Sequence, residues 1–401
     1  MFGTSDPQTP APRSAHRFRR TRRTWTALAV GLAVAGGGLA VVNQTALAHT
    51  WRYGSGTPVA AASPAPSATG VQNQSSQVGQ GGQAQGGQAP NGQAQNGQNG
   101  QNGGGAQNAS PLSRRDFTDI TRVGPNVREP RTRRGGSRGV FFSRCGVSDH
   151  NNPDNFIVAP GVSNGAHHMH DYVGNKTSDG FSNDQTLAAA GTTCVRNDRS
   201  AYFWPVLRLR NNVQEADANA PGGGQDQNVG QILKPAAVSL QFRGNPVAKV
   251  VPMPRFMRVI TGDAKAVTNG TANARAQWTC SGFTDRRLSD TYPVCPGGRR
   301  TIRVLDFPSC WDGKNTDSAN HRTHVVFPDP RTGRCAAGLK PVPQLRMVLS
   351  YNVPRGQVFA LDTFPEQLHK AVTDHGDFVN VMSDRLMRAV VGCINANHRC
   401  A

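Results

Sequence analysis

A-Y-F-W-P-V-L-R-L, residues Ala201 to Leu209, is an apolar run of strand length. Val238–Phe242, Ile302–Phe307, His324–Phe327 and Leu345–Leu349 repeat the pattern, each separated from the next by Gly, Pro, Asn and Asp. Few stretches sustain an apolar period of 3.6 residues. The exceptions are Thr186–Ala190 and Phe378–Val391, where Val381, Leu386, Met387 and Val390 line one helix face. Many short strands joined by long loops predict a mainly β, sandwich-like single domain with few short helices, rather than a helix bundle or a doubly wound sheet. No Gly-rich phosphate loop follows a convincing strand, and no G-x-S-x-G elbow occurs, so nucleotide cofactors and an α/β-hydrolase are unsupported.

Working outward, the folded domain is expected over residues 140–401, beginning near Val140-Phe141-Phe142, with enough chain for one sizeable core. Residues 49–139 read as a linker. Its first part, 49–111, is Ala, Pro, Ser, Gln, Asn and Gly, and buries too little apolar area to offset the entropy of ordering. Residues 112–139 continue it with positive charge. Residues 1–48 read as an export signal: Arg17, Arg19, Arg20, Arg22 and Arg23 precede the apolar run Trp25–Val42, and Ala46-Leu47-Ala48 offers a cleavage site. Arg22-Arg23 also admits a twin-arginine route, and the apolar run approaches the length of a retained membrane anchor. Either reading puts the bulk of the chain outside the cytoplasm, secreted or held at the cell surface.

All eight cysteines fall after the leader and spacer. An even count in an exported chain points to disulfides, and the absence of C-x-x-C excludes a zinc ribbon or a thioredoxin-like centre. Sequence alone leaves the pairing open; the sequential set Cys145–Cys194, Cys280–Cys295, Cys310–Cys335 and Cys393–Cys400 is the simplest. The net charge of +19 invites a nucleic-acid partner. Much of the excess lies in the leader and in Arg114–Arg138, however, so specific nucleic-acid binding is not expected. That basic stretch suits anionic wall polymers or lipid headgroups, or simply a soluble linker.

Three polar constellations carry the chemistry. In G-A-H-H-M-H-D, Gly165 to Asp171, an extended backbone puts His168 and His170 on one face and Met169 on the other, with His167 opposite. Two imidazoles so placed suit one metal ion or a substrate; a polar strand end is the plainer account. Phe307 to His324 holds Asp312, Asp317, His321 and His324, and a tight turn would make the two histidines neighbours. It lacks H-E-x-x-H. Trp311 in this stretch suits a sugar platform or a core cover. In D-H-G-D-F, Asp374 to Phe378, Gly376 lets the chain turn between His375 and Asp377, and a carboxylate beside an imidazole fixes its tautomer. Asp374 alternatively caps the next segment.

These eight residues suit hydrolysis or elimination on a polymer better than redox chemistry. A hydrolase needs an activated water and a proton donor, a lyase a base and a group that stabilises the developing charge. A divalent metal fits either scheme without being required.

The motifs P-G-V-S-N-G-A-H-H-M-H-D-Y-V-G-N (160–175), S-A-Y-F-W-P-V-L (200–207), F-P-S-C-W-D-G (307–313), D-S-A-N-H-R-T-H (317–324) and H-G-D-F (375–378) together resemble the DUF1996 family of secreted proteins. The combination is specific; a single H-x-H is not. The resemblance implies that His168, His170, Asp312, Asp317, His321, His324, His375 and Asp377 are signature positions, without implying a mechanism. It associates the chain with cell-wall polysaccharide as partner. Departures are A-H-H in the first motif, where the family commonly has S-H, and D-F-V-N-V-M where it more often has an aromatic. A non-catalytic wall-binding module, its groove lined by Trp204, Trp311 or nearby Tyr residues, and a structural exoprotein stand as alternatives. Oligomeric state is not legible.

Overall fold

The computed structural model describes residues 112–401, apart from Asn212 and Gln214. The expected export leader, residues 1–48, and the expected spacer, 49–111, lie outside the described residues. Two sheets dominate. One is six-stranded, in the order Trp278–Cys280, Thr301–Asp306, Gln344–Tyr351, Ala237–Arg243, Val140–Ser143 and Arg399–Cys400. The other is five-stranded, in the order Val147–Asn152, His170–Gly174, Ala201–Pro205, His375–Val379 and Arg258–Gly262. The fold is mainly β with long loops and few short helices, as the short apolar runs predict.

Strand Gln344–Tyr351 shows how the sheets meet. Leu345, Met347, Leu349 and Tyr351 are buried and alternate with half-buried neighbours, the period of two that gives a strand one inner face. Tyr202, Trp204 and Phe378 from the other sheet join the same core cluster, with the Phe242 and Phe378 rings 5.8 Å apart. Each such side chain removed from water stabilises the fold by about 1.5–3 kcal/mol. Trp204 donates its indole N–H to Tyr351 across the interface at 3.1 Å. It is fully buried, so it forms no sugar platform.

The helix at the C-terminal end spans Asp384–Asn395, capped by Ser383, and buries Leu386, Met387, Val390 and Ile394. It starts later than the periodicity suggests. Phe378 belongs to a strand, where pairing with Tyr202 overrides the helical spacing, and Val381 packs in a second cluster on the far face of the five-stranded sheet. Residues 112–139, assigned to the linker from composition, carry structure here. Phe117–Asp119 pairs with Tyr292–Val294, Ile120 is fully buried, and Arg133 N–H donates to the Pro246 carbonyl at 2.8 Å.

Four disulfides join the cysteines in sequential pairs, Cys145–Cys194, Cys280–Cys295, Cys310–Cys335 and Cys393–Cys400. They point to an oxidising compartment. Among the described residues no helix is long and apolar enough to cross a membrane.

Candidate functional site

The site lies on the face of the five-stranded sheet turned away from the sandwich core. His170 pairs with Pro205, Asp377 with Phe203, and His375 with Gly262. Two steps along that antiparallel register put His170, Pro205, His375 and Gly262 in one row. Because side chains alternate between faces, Tyr172, Phe203, Asp377 and Ile260 share the face in the next row. Between and beyond the two histidines the row carries only a proline and a glycine, which leaves room above the sheet for imidazoles to converge.

Gly262 is required there. Its φ is +80°, and an added Cβ would lie 2.2 Å from the Asp374 carbonyl oxygen and 2.7 Å from the His375 Cα. Gly262→Ala is therefore expected to destabilise the fold by at least about 2 kcal/mol, read as a lowered midpoint in urea. A variant as stable as the parent would refute the close approach. Gly376 plays a different part from the turn read in the sequence: it sits within an extended strand, where a Cβ would meet the Leu305 side chain at 2.8 Å. Its missing side chain lets the two sheets close.

His168 arrives from the loop before strand His170–Gly174. His167, just ahead of it, adopts φ +52°, points elsewhere and pairs with Asp226 at 2.9 Å. The alternation across Met169 holds: the His168 and His170 rings lie 4.7 Å apart. His168, His170 and His375 each offer a nitrogen, and these atoms all lie within 4.8 Å of one another. Nε2 of His168 is 3.2 Å from Nε2 of His375. All three rings are buried.

Their hydrogen bonds leave lone pairs unused. The Thr373 carbonyl accepts from His375 Nδ1 at 2.9 Å, so Nδ1 carries the proton and Nε2 turns its lone pair into the cluster. That backbone carbonyl, not a neighbouring carboxylate, sets the tautomer. Asp374 is neither a cap nor an orienter: it forms a fully buried ion pair with Arg303, at 2.6 and 3.2 Å, while Arg303 also donates to the Pro205 carbonyl at 2.8 Å. The pair clamps the backbone beside His375 and opposite it. Among the described residues, His168 Nδ1, both nitrogens of His170 and both oxygens of Asp377 make no well-aligned hydrogen bond, although the Ala166 and Asp154 backbones and the Asn155 amide lie beside them. Buried polar atoms are seldom left so.

Burial holds the His168 and His170 imidazoles well below their ordinary range, and the neighbouring rings add repulsion. His375 is lowered too, again chiefly by burial. All three are thereby kept neutral, the form that ligates metals. Burial pushes the Asp377 carboxyl up to about 7, against the pull of the nearby Asn155 amide and the Arg322 guanidinium.

A cavity of about 230 Å³ opens onto this group. His168, His375 and Asp377 line it together with Asn155, Asp263, Lys265, Arg322 and Phe364. Lys265 Nζ stands 4.3 Å above the Phe364 ring. His170 is fully buried and does not line it.

The structure thus brings together His168, His170, His375 and Asp377, and keeps the other four sequence candidates apart from the cluster. Asp312 accepts from the Lys314 and Asn315 backbone N–H groups at 2.8 and 2.9 Å, holding its own turn. His321, at φ +53°, bonds Asp317 at 2.9 Å. His324 has both nitrogens engaged, with Ser318 Oγ at 2.9 Å and the Arg258 carbonyl at 2.7 Å, leaving neither for a metal. Trp311 donates to the Asn315 carbonyl at 2.7 Å within the same loop. What the loop gives the cavity is Arg322, inside the quoted motif but passed over for its histidine neighbours. Asn155, Asp263, Lys265 and Phe364 carried no sequence signal, since single polar or aromatic residues between turns are common.

A family model described as a domain of unknown function, DUF1996, matches residues 155–381. No curated protein and no solved structure matches the chain.

Proposed function

The chain belongs to the DUF1996 family, and from that premise we propose an exported, metal-dependent enzyme that cleaves cell-wall polysaccharide by hydrolysis or elimination. One observation carries the reading: three neutral, buried imidazoles offer nitrogens within 4.8 Å of one another at the wall of a cavity. Two nitrogens bound to one tetrahedral ion at the usual zinc–nitrogen length stand about 3.3 Å apart. The 3.2 Å between His168 and His375 suits that span. An N–H···N bond would also suit it, but would give His170, the third ring of the group, no part. No carboxylate oxygen joins the three nitrogens within the same radius. Three protein ligands with an open position are the pattern of catalytic rather than structural sites.

A divalent ion bound there would supply Lewis acidity toward a substrate oxygen. The chain's own groups do the rest. His168 and His375 present their nitrogens to the cavity while Pro205 and Gly262 keep the space clear. Asp377, its carboxyl pushed up by burial, is placed to hold or release a proton at the cavity wall. Asn155 lies beside it and Arg322 faces it, both favouring the ionised carboxylate. A non-catalytic wall-binding module has less support, because the fully buried Trp204 cannot line its groove.

The test uses the full chain purified after export. It is expected to carry about one divalent transition-metal ion, to cleave at least one member of a wall-polysaccharide panel, to lose turnover on dialysis against a chelator, and to regain it on metal return. Retention on the polymers with no turnover in any metal state would overturn the enzyme in favour of a binding module. Neither metal nor retention would leave the structural exoprotein.

A further inference from the structure

The largest cavity among those described lies away from the three histidines. It is a groove of about 660 Å³ between the basic N-terminal segment and the six-stranded sheet. Five arginines line it: Arg128, Arg138, Arg243, Arg275 and Arg346. Arg243 and Arg346 are spent on carboxylates: both pair with Glu129, at 2.6 and 2.9 Å, and Arg346 also with Asp306 at 2.5 Å. Among the described residues, Arg128, Arg138 and Arg275 make no ion pair; Arg275 donates only to the Ala272 and Ala274 carbonyls. Asp329, the remaining acid of the groove, accepts from the N–H groups of its own turn.

One wall of the groove is tied to the strand that carries Gly262: on the core side of that strand, the fully buried Thr261 donates its hydroxyl to the carbonyl of Asp306 in the groove wall at 2.6 Å. Burial lowers Arg275 of the groove, and the nearby charge of Arg322, which lines the site cavity, lowers it further. Arg322 likewise has no carboxylate partner and spends one N–H on the Gly262 carbonyl at 2.8 Å. Arg128, Arg138 and Arg275 thus leave positive charge in the groove without an ion-pair partner among the described residues, while Arg322 at the cavity acts on Asp377. The groove also offers ring faces: Phe327, under the Arg275 guanidinium at 4.9 Å, and the prolines Pro130, Pro246 and Pro328. Guanidinium forks match carboxylates, and flat apolar surfaces match the faces of sugar rings.

We infer that the groove binds an acidic polysaccharide, a glycan bearing a carboxylate on its sugar units, and feeds one unit past Arg275 and Arg322 into the histidine cavity. This rests on the proposed enzyme for the direction of travel, but the binding itself does not need the metal.

Affinity electrophoresis of the full chain decides it, with polygalacturonate, the same polymer with its carboxylates methyl-esterified, polyphosphate and single-stranded DNA as probes. Polygalacturonate is expected to retard the protein. Esterification should abolish the retardation and about 1 M salt should weaken it, because counter-ions then screen within a few ångströms. Arg138→Gln with Arg275→Gln should weaken retention roughly tenfold, as two exposed charge contacts are removed. These arginines are at the surface, and an unchanged melting temperature is the check on folding. Should the double variant not fold, the esterified arm decides alone. Equal retardation by acidic and esterified polymer, or tighter retention of DNA or polyphosphate, would overturn the inference. His168→Ala separates it from the enzyme reading: metal should be lost while polygalacturonate binding persists. Metal and turnover on neutral polymers, without preference for acidic ones, would sink the groove and spare the enzyme.

Discussion

His375→Ala is expected to remove bound metal from the protein, weakening affinity by more than about 100-fold, and to abolish turnover with it. In the proposed centre, His375 would be the ligand whose lone pair is already aimed, because the Thr373 carbonyl holds the proton on its other nitrogen at 2.9 Å. Loss of an orienting partner alone commonly costs a metal site 10–100-fold, in round terms, and loss of the ligand itself costs more. The ring is also buried, so truncation leaves a void. His375→Gln keeps most of the volume and separates loss of ligation from loss of packing. The control is His321→Ala. That residue pairs with Asp317 in the outer loop, so metal affinity should stay within about twofold of the parent. Metal titration by calorimetry and metal content by mass spectrometry read the result. Equal metal content in the parent and His375→Gln would dismiss the three-histidine centre.

The second large effect is on stability. Arg303→Met should cost about 3–5 kcal/mol, because it strands the Asp374 carboxylate where neither partner of the pair is exposed. The native state of a domain is favoured by only about 5–15 kcal/mol, so the variant should unfold at much lower urea concentration. It also removes the donors to the Pro205 carbonyl and the Tyr351 hydroxyl. Adding Asp374→Asn to Arg303→Met should recover part of the loss, since an amide is less costly to bury unpaired than a carboxylate. If the single variant loses under 1 kcal/mol, roughly the worth of a surface pair, the clamp is not holding the strands.

The alternation that makes strands was legible wherever one face is buried. It placed His168 and His170 on one side of Met169, while Leu345 to Leu349 was read as a strand from its short apolar run. Pairing across the sheet was not legible. Nothing local in D-H-G-D-F says that His375 stands in register with Pro205 and His170; that follows only from the strand order, which is set by the whole core. The helix reading of Phe378–Val391 failed at its start, because the aromatic contact of Phe378 with Tyr202, at 5.0 Å, outweighs local period. Composition hid Phe117 and Ile120 among arginines. The loop histidines misdirect for a related reason: imidazoles and carboxylates serve turns as readily as metals, and only their hydrogen-bond partners tell the two apart.

During biosynthesis the histidine cluster can exist only after the sheet has closed. His375 follows His168 by 207 residues, and its strand lies between Ala201–Pro205 and Arg258–Gly262. A chain emerging N-terminus first carries His168 and His170 as an isolated pair until that late strand inserts between its two neighbours. An ion bound by all three would therefore be captured from the compartment where folding finishes. It would bind the native chain and not its precursor, stabilising it by about 2.7 kcal/mol at an ion concentration 100 times the Kd. In the proposed centre, the late insertion of the His375 strand would thus tie acquisition of the ion to completion of the sheet.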